Sequence, residues 1–295
     1  MVTEEAKNIG EVLEQINNYF SNKKLSSFGL YFRGQSNFND NLLPTIFRQG
    51  RCYEGKVFRE MEMYREFKLL KSTQTNNSKS VFEWLIHMQH YGLPTRLLDW
   101  TQNLLTALYF ASSKNHNNGA LFVLEPISLN QASGLKNSNS MYDHNNTQVI
   151  IKANLALIHN LQDFKKQKEI REIIRDNEIE LIIKDGKIMP EAWQITVETP
   201  VAVRPPIQNE RISLQRGVFT LHGGKIFGDS EIIRPIQIEE LSNVDLLKIN
   251  IPLSSKDKII KELEYCGINE AALFPELEHQ VNHIRERWTE QSNEH

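Results

Sequence analysis

The sequence predicts an α+β fold, a single domain over residues 1–295 with a small mixed or antiparallel sheet surrounded by helices. Three observations lead there. Segments with apolar residues three and four apart alternate with short apolar or aromatic runs bounded by glycine and proline. No internal repeat and no linker forces a split. With 295 residues, 40% hydrophobic and 24% charged, the chain has an ordinary globular composition and can bury a sizeable core.

The elements follow in order. Ile9, Val12, Leu13, Ile16 and Phe20 sit at helical spacing and open the chain with an amphipathic helix. Gly29 to Gln35 is short and aromatic and reads as a strand, and Asn39 to Pro44 is turn chemistry. Val57, Met61, Tyr64 and Phe67 mark a second helix, broken by the polar stretch Ser72 to Ser80. Val81 to His90 is a third helix with apolar positions 81, 82, 85 and 88, stopped by Gly92 and Pro94. A fourth starts near Asp99 or Thr101, either of which can cap it, with Leu104, Leu105, Leu108 and Ala111 as its buried stripe. Gly119 to Glu125 is an apolar strand ended by Pro126. Residues 128–148, rich in Asn and Ser, read as a solvated loop or insertion. Asn154 to Asp176 is helical and charged, Ala192 to Val203 a strand interrupted by Pro200, and Arg211 to Leu221 another strand. Ile249 to Leu253 is a short strand, Ser254 starts a helix with Asp257 in the reciprocal capping position, and Leu277, Val281, Ile284 and Trp288 mark the last helix.

Several function classes are set aside. The net charge of −3 gives no global sign of nucleic-acid binding, although a local basic patch is compatible with it. Two cysteines, with no Cys-x-x-Cys pair, argue against a disulfide scaffold and a cysteine-built zinc site. No apolar run reaches the roughly 18 residues a membrane span needs, and the acidic start lacks a signal core. A cytoplasmic protein with no membrane partner is the expectation. The glycine-rich phosphate loops and the Gly-x-Ser-x-Gly elbow are missing. His87 and His90 are three apart, but no carboxylate accompanies them at ligand spacing, so no metal is expected.

Polar chemistry concentrates in three places. Arg33 ends an aromatic strand, where its fork suits a phosphate or carboxylate, and Gly34 allows a ligand close to the backbone. A structural ion pair with Asp99 or a glutamate is the plainer alternative. His90 to Trp100 reads as a loop between two apolar helices. There His90 can donate a hydrogen bond or act as a base, and Arg96 can add a second phosphate contact. Asp99 can orient either arginine or cap a helix, and Tyr91 and Trp100 offer flat faces. An ordered loop that buries Trp100 is the alternative there, while Tyr109 and Phe110 read as core. The third place is Glu210, Arg211 and Gln215, where a buried Gln215 amide bonding the backbone competes with a role in chemistry.

Three segments together resemble the FRG family: Tyr31-Phe32-Arg33-Gly34-Gln35 with Leu42 to Thr45, His90 to Thr101 running into Ala107 to Ala111, and Arg211 to Phe219. Gly267 to Asn269 and Leu273 to Leu277 are also similar to these proteins, so the resemblance covers roughly residues 25 to 280. It implies an FRG-type domain with a motif-bearing core over about 25–225 and a helical extension over about 254–295.

The aromatic-Arg-Gly strand is in turn similar to the NAD-holding strand of ADP-ribosyltransferases. That likeness implies an NAD-dependent transferase of toxin or phage-defence type with a neutralising antitoxin. Its macromolecular acceptor would be a nucleic acid or a protein. Arg33, His90, Gln215 and Glu210 would then be catalytic, and Arg33, Gly34, Gln35, Tyr91, Arg96, Asp99, Trp100 and Arg211 would bind NAD. In those enzymes a late strand often carries Gln-x-Glu or Glu-x-Glu; here Gln215-Arg216-Gly217 ends without the Glu. A non-catalytic nucleotide or nucleic-acid binding module and an NAD glycohydrolase remain as alternatives.

Overall fold

The computed structural model describes residues 2–48, 60–71, 80–114, 116–134, 142–143, 183–184, 187–188, 199–206, 210–227 and 232–289. Their elements run β1 (Val2–Glu5), α1 (Ile9–Phe20), β2 (Tyr31–Gln35), α2 (Glu60–Lys71), α3 (Val81–His90), β3 (Leu97–Thr101), α4 (Leu104–Ser112), β4 (Gly119–Leu124) and α5 (Pro126–Ala132). They continue with β5 (Tyr142–Asp143), β6 (Ile183–Lys184), β7 (Lys187–Ile188), β8 (Val201–Arg204), α6 (Glu210–Leu214), β9 (Gly217–Leu221), β10 (Gly224–Phe227) and β11 (Ile232–Pro235). The chain closes with β12 (Leu246–Ile251), α7 (Lys256–Tyr265), α8 (Glu270–Leu273) and α9 (Leu277–Thr289).

Eight strands form one mixed sheet in the order β1-β12-β4-β2-β3-β9-β8-β5. Among the described residues, only the two outermost pairings, β1 with β12 and β5 with β8, are parallel. The α+β class and the mixed sheet are as expected, but the sheet is larger than the small one foreseen. Its first strand comes from the acidic start of the chain, which joins β12 at an edge where charged side chains are tolerated.

Side chains alternate across the strands and build two apolar layers. On one face, Leu121, Val123, Leu247 and Ile249 pack under α1, α4 and α7. Beside them, Leu97, Phe219 and Leu221 pack under α3 and α2. On the other face, Tyr31, Leu98, Trp100, Phe122 and Leu246 meet Leu42, Leu129 and Ile238. Helix α1 is held at its start by Asn8, whose Oδ1 accepts from the Glu11 amide at 2.8 Å. Helix α3 has the reciprocal Ser80–Glu83 cap and ends before Gly92 at φ 83°.

Helix α4 lies directly on the sheet because two glycines make room. A Cβ on Gly34 would come 1.8 Å from the Ala107 carbonyl oxygen, and one on Gly119 would come 2.2 Å from that of Ala111. The space beside Gly34 is therefore filled by α4 backbone rather than kept for a ligand.

Four readings need correction. Residues 97–101 are strand β3, not the tail of a loop, and α4 is capped by Asn103, whose side chain accepts from the Leu105 amide. Residues 128–132 are not solvated loop; they belong to α5, which starts with Pro126 at its first turn and buries Ser128, Leu129 and Asn130. Residues 210–214 form a short helix, and the strand begins only at Gly217, after Arg216 has turned the chain at φ 46°. Ser254 does not cap a helix; it lies within a 3₁₀ turn, Leu253–Ser255, and α7 starts at Lys256. The charged helix read over 154–176 and the strand read over 192–198 lie outside the described residues. Among the described residues no helix is long and apolar enough to cross a membrane.

Candidate functional site

The sheet opens at its centre. β2 pairs with β4 along all five residues, Tyr31 to Gln35, and β3 pairs with β9 along all five, Leu97 to Thr101. Between β2 and β3 there is a single pair, Phe32 with Thr101. A cavity of about 310 Å³ lies over this opening. Its floor is β2, β3 and β9; Ile86, Gln89 and His90 of α3 form one wall, and Thr106 and Phe110 of α4 another. Ile212 and Gln215, from α6 and the turn after it, complete the rim.

Arg33 holds the opening together. Alternation places it on the face of Tyr31, opposite Phe32, yet its guanidinium reaches across to β3, where Nη1 donates to the Asp99 main-chain carbonyl at 2.6 Å. The residue is half-buried, while its Nε is shut off from solvent and has no hydrogen-bond partner. Burial lowers its pKa to about 10, and Asp99 opposes that shift, so the group stays charged at neutral pH. Across the cavity Thr106 Oγ1 is also buried without a partner. Arg33 and Thr106 both line the cavity, and each keeps one buried polar atom without a partner beside it.

Asp99 is exposed and lines the cavity. Its Oδ1 accepts from Gln89 Nε2 at 2.7 Å. Gln89 Oε1 in turn accepts from the hydroxyl of buried Thr95, which itself accepts from the Leu97 amide at 3.3 Å. His90, exposed in the last turn of α3, stands beside this chain on the cavity wall. Gln215 lines the cavity, but its Nε2 donates to the Leu273 carbonyl at 3.0 Å and its main-chain oxygen accepts from Thr101 Oγ1 at 2.5 Å. Its amide nitrogen thus bonds backbone, as the plainer alternative has it, but the side chain is half-buried and the partner is the end of α8.

The structure thus brings Arg33, Gly34, His90, Asp99, Trp100 and Gln215 to one cavity. Others stand elsewhere. Arg96 is buried at 1% exposure; its Nε and Nη2 grip Glu60 Oε2 at 2.7 and 2.5 Å, and its Nη1 donates to the His222 carbonyl at 3.4 Å. It supports the fold instead of offering a second phosphate contact. Trp100 touches the cavity, but its ring is core, and its Nε1 donates to Thr220 Oγ1 at 3.0 Å, so it offers no flat face. Tyr91 is 57% exposed, lies outside the cavity and packs against Phe67. Gln35 is buried, and its Nε2 donates to the Asn41 carbonyl at 3.3 Å. Glu210 and Arg211 begin α6, and their side chains lie outside the described residues.

Sequence reasoning missed Gln89 and Thr106, and it took Phe110 for core, whereas Phe110 is half-buried and lines the cavity. Thr106 carries the one local signal, a polar residue inside the apolar run Leu104 to Ala111. Among the described residues no cluster of three His, Cys, Asp or Glu side chains could hold a metal ion.

Residues 29–119 match the FRG domain family model. The FRG segment holds β2, α3, β3 and α4, and with them Arg33, Gln89, His90, Asp99 and Thr106. The resemblance read beyond it, over Arg211 to Phe219 and near the C-terminus, lies outside the match. No curated protein and no solved structure matches the chain. The FRG segment therefore supplies most of the cavity's polar side chains, and Gln215 is added from outside it.

Proposed function

We propose that this chain is an NAD-consuming ADP-ribosyltransferase of toxin or phage-defence type. It would act in the cytoplasm on a nucleic acid or protein and be held in check by an antitoxin. The observation that carries the reading is the meeting of Arg33, His90 and Asp99 at one cavity, where the buried Arg33 Nε and Thr106 Oγ1 lack partners. A charged guanidinium at a partly dry cavity favours an anionic group such as a phosphate. The walls of Phe32, Ile86, Phe110, Ile212 and Phe219 suit a flat ring. A cavity of about 310 Å³ is in the range of small-ligand sites, and on this reading it would take the nicotinamide and its ribose, with the adenosine half outside.

Chemically, the bond between ribose C1′ and nicotinamide breaks, and its electron pair neutralises the ring nitrogen. Positive charge develops on the ribose, where fixed negative charge stabilises it. A nucleophilic atom of the acceptor bonds to C1′ and gives its proton to the His90 imidazole. With water in that place the same site is an NAD glycohydrolase.

Two observations favour a second reading, a nucleotide-binding module without catalysis. The Gln215 amide nitrogen is engaged by Leu273, and the third segment has no Glu after it. Calorimetric titration with NAD, run beside a nicotinamide-release assay, separates the two. Binding with release supports the enzyme, binding without release supports the module, and neither binding nor release contradicts both.

A further inference from the structure

We infer that Asp99 is the carboxylate that stabilises the ribose cation in this cavity, and that Gln89 and Thr95 are the residues that position it. The inference rests on the NAD-consuming reading and deepens it. The late strand that should carry an acid lacks one: Gly217 occupies the place, at the start of β9. Among the described residues, Asp99 is the one acidic side chain lining the cavity. It comes from β3, and its partner across the β3–β9 ladder is Phe219, two residues beyond Gly217. A carboxylate from a neighbouring strand thus reaches the same cavity.

The hydrogen bonds to Asp99 all run in one direction. The Leu97 amide donates to Thr95 Oγ1 at 3.3 Å, so the Thr95 hydroxyl proton points to Gln89 Oε1. That fixes the Gln89 amide with its nitrogen toward Asp99, and Nε2 donates to Oδ1 at 2.7 Å. The Asp99 main chain is held separately by Arg33 Nη1 at 2.6 Å. Backbone and side chain are thus both fixed, with Oδ1 committed and Oδ2 left without a described partner. A preorganised carboxylate of this kind needs no rearrangement as charge develops beside it. Asp99 Oδ2 accepts the ribose 2′-hydroxyl proton in a hydrogen bond and holds its negative charge beside C1′. It forms no bond to the sugar and is unchanged at the end of the turnover.

The test uses the full chain, with nicotinamide release giving kcat and KM, calorimetry giving the NAD Kd, and thermal unfolding reporting the fold. Asp99→Asn keeps the shape and lowers kcat about 10²- to 10³-fold, with Kd and Tm little changed. Gln89→Leu and Thr95→Val each lower kcat about 10-fold with KM unchanged. Thr95→Ser, which keeps the hydroxyl, restores the rate lost in Thr95→Val. Rescue by Ser together with an unchanged KM marks positioning, since a merely structural role would move Tm and KM as well. Wild-type turnover with an equally active Asp99→Asn overturns this inference and leaves the NAD reading standing. A wild-type protein that neither binds nor cleaves NAD overturns both.

Discussion

Arg33 Nη1 donates to the Asp99 main-chain carbonyl at 2.6 Å, and this one bond spans the point where β2 and β3 part. The guanidinium therefore has two tasks, bracing the opening with Nη1 and holding the charge of the rest of its fork beside the cavity. A lysine has a single nitrogen and cannot do both. Arg33→Lys is expected to weaken NAD binding about 10- to 100-fold, measured by calorimetry, although the positive charge is kept.

Arg96 and Glu60 are a buried structural pair with 2% and 0% of their side chains exposed. Removing one partner leaves the other charged and unpaired. Arg96→Met is expected to lower stability by about 3–5 kcal/mol, read from urea unfolding. Glu60→Leu added to it should recover much of that loss, because the pair then leaves together. NAD affinity below the unfolding transition should stay near the wild-type value, since Arg96 does not reach the cavity.

Gly34 tests how closely α4 sits on β2. An added Cβ would meet the Ala107 carbonyl oxygen at 1.8 Å and the Ala111 nitrogen at 2.6 Å, both backbone atoms. Gly34→Ala must push α4 away and is expected to destabilise by about 1–3 kcal/mol or more, seen as a lower urea midpoint. Because Thr106 and Phe110 ride on α4, NAD binding should weaken in the same variant.

Glu239 gives a pH signature. Burial raises its pKa above the ordinary 4.5, and the Leu42 and Glu239 amides and Lys248 oppose that shift. Its Oε2 is buried without a partner. A carboxyl with a raised folded-state pKa binds protons more readily folded than unfolded. Its favourable contribution is present below pH 4.5 and is lost as pH rises through the folded-state value. Glu239→Gln is expected to raise Tm at pH 7 and to flatten the fall in Tm on going from pH 4.5 to 7. Thermal unfolding across that range reads both.

How much of this the sequence reveals depends on how local the controlling physics is. Helix α3 is legible at both ends, because Ser80 and Glu83 cap it and Gly92 takes the positive φ that stops it. Helix α1 is legible from the spacing of Val12, Ile16 and Phe20. β3 is not. Leu97, Leu98 and Trp100 are buried on both faces and show no simple alternation, while Asp99 and Thr101 look like helix caps. Only pairing with β9, over a hundred residues away, makes this stretch a strand. The same holds for α6, where Ile212 and Leu214 alternate like a strand but form a short turn of helix.

At the site, Arg33, His90 and Asp99 stand out as polar residues between apolar elements, and they do line the cavity. Arg96 and Trp100 stand out equally, but long-range partners, Glu60 and Thr220, draw them into the core. Gln89 escapes notice because, at the level of sequence, it is an ordinary residue of a helix, and Phe110 reads there as core.

The most direct measurement is nicotinamide release from NAD by the purified chain, beside Arg33→Ala, with and without cell extract containing RNA, DNA and protein. The account predicts release by the wild type that extract stimulates and that Arg33→Ala abolishes. No release and no NAD binding under any of these conditions, or release undiminished in Arg33→Ala, would contradict it.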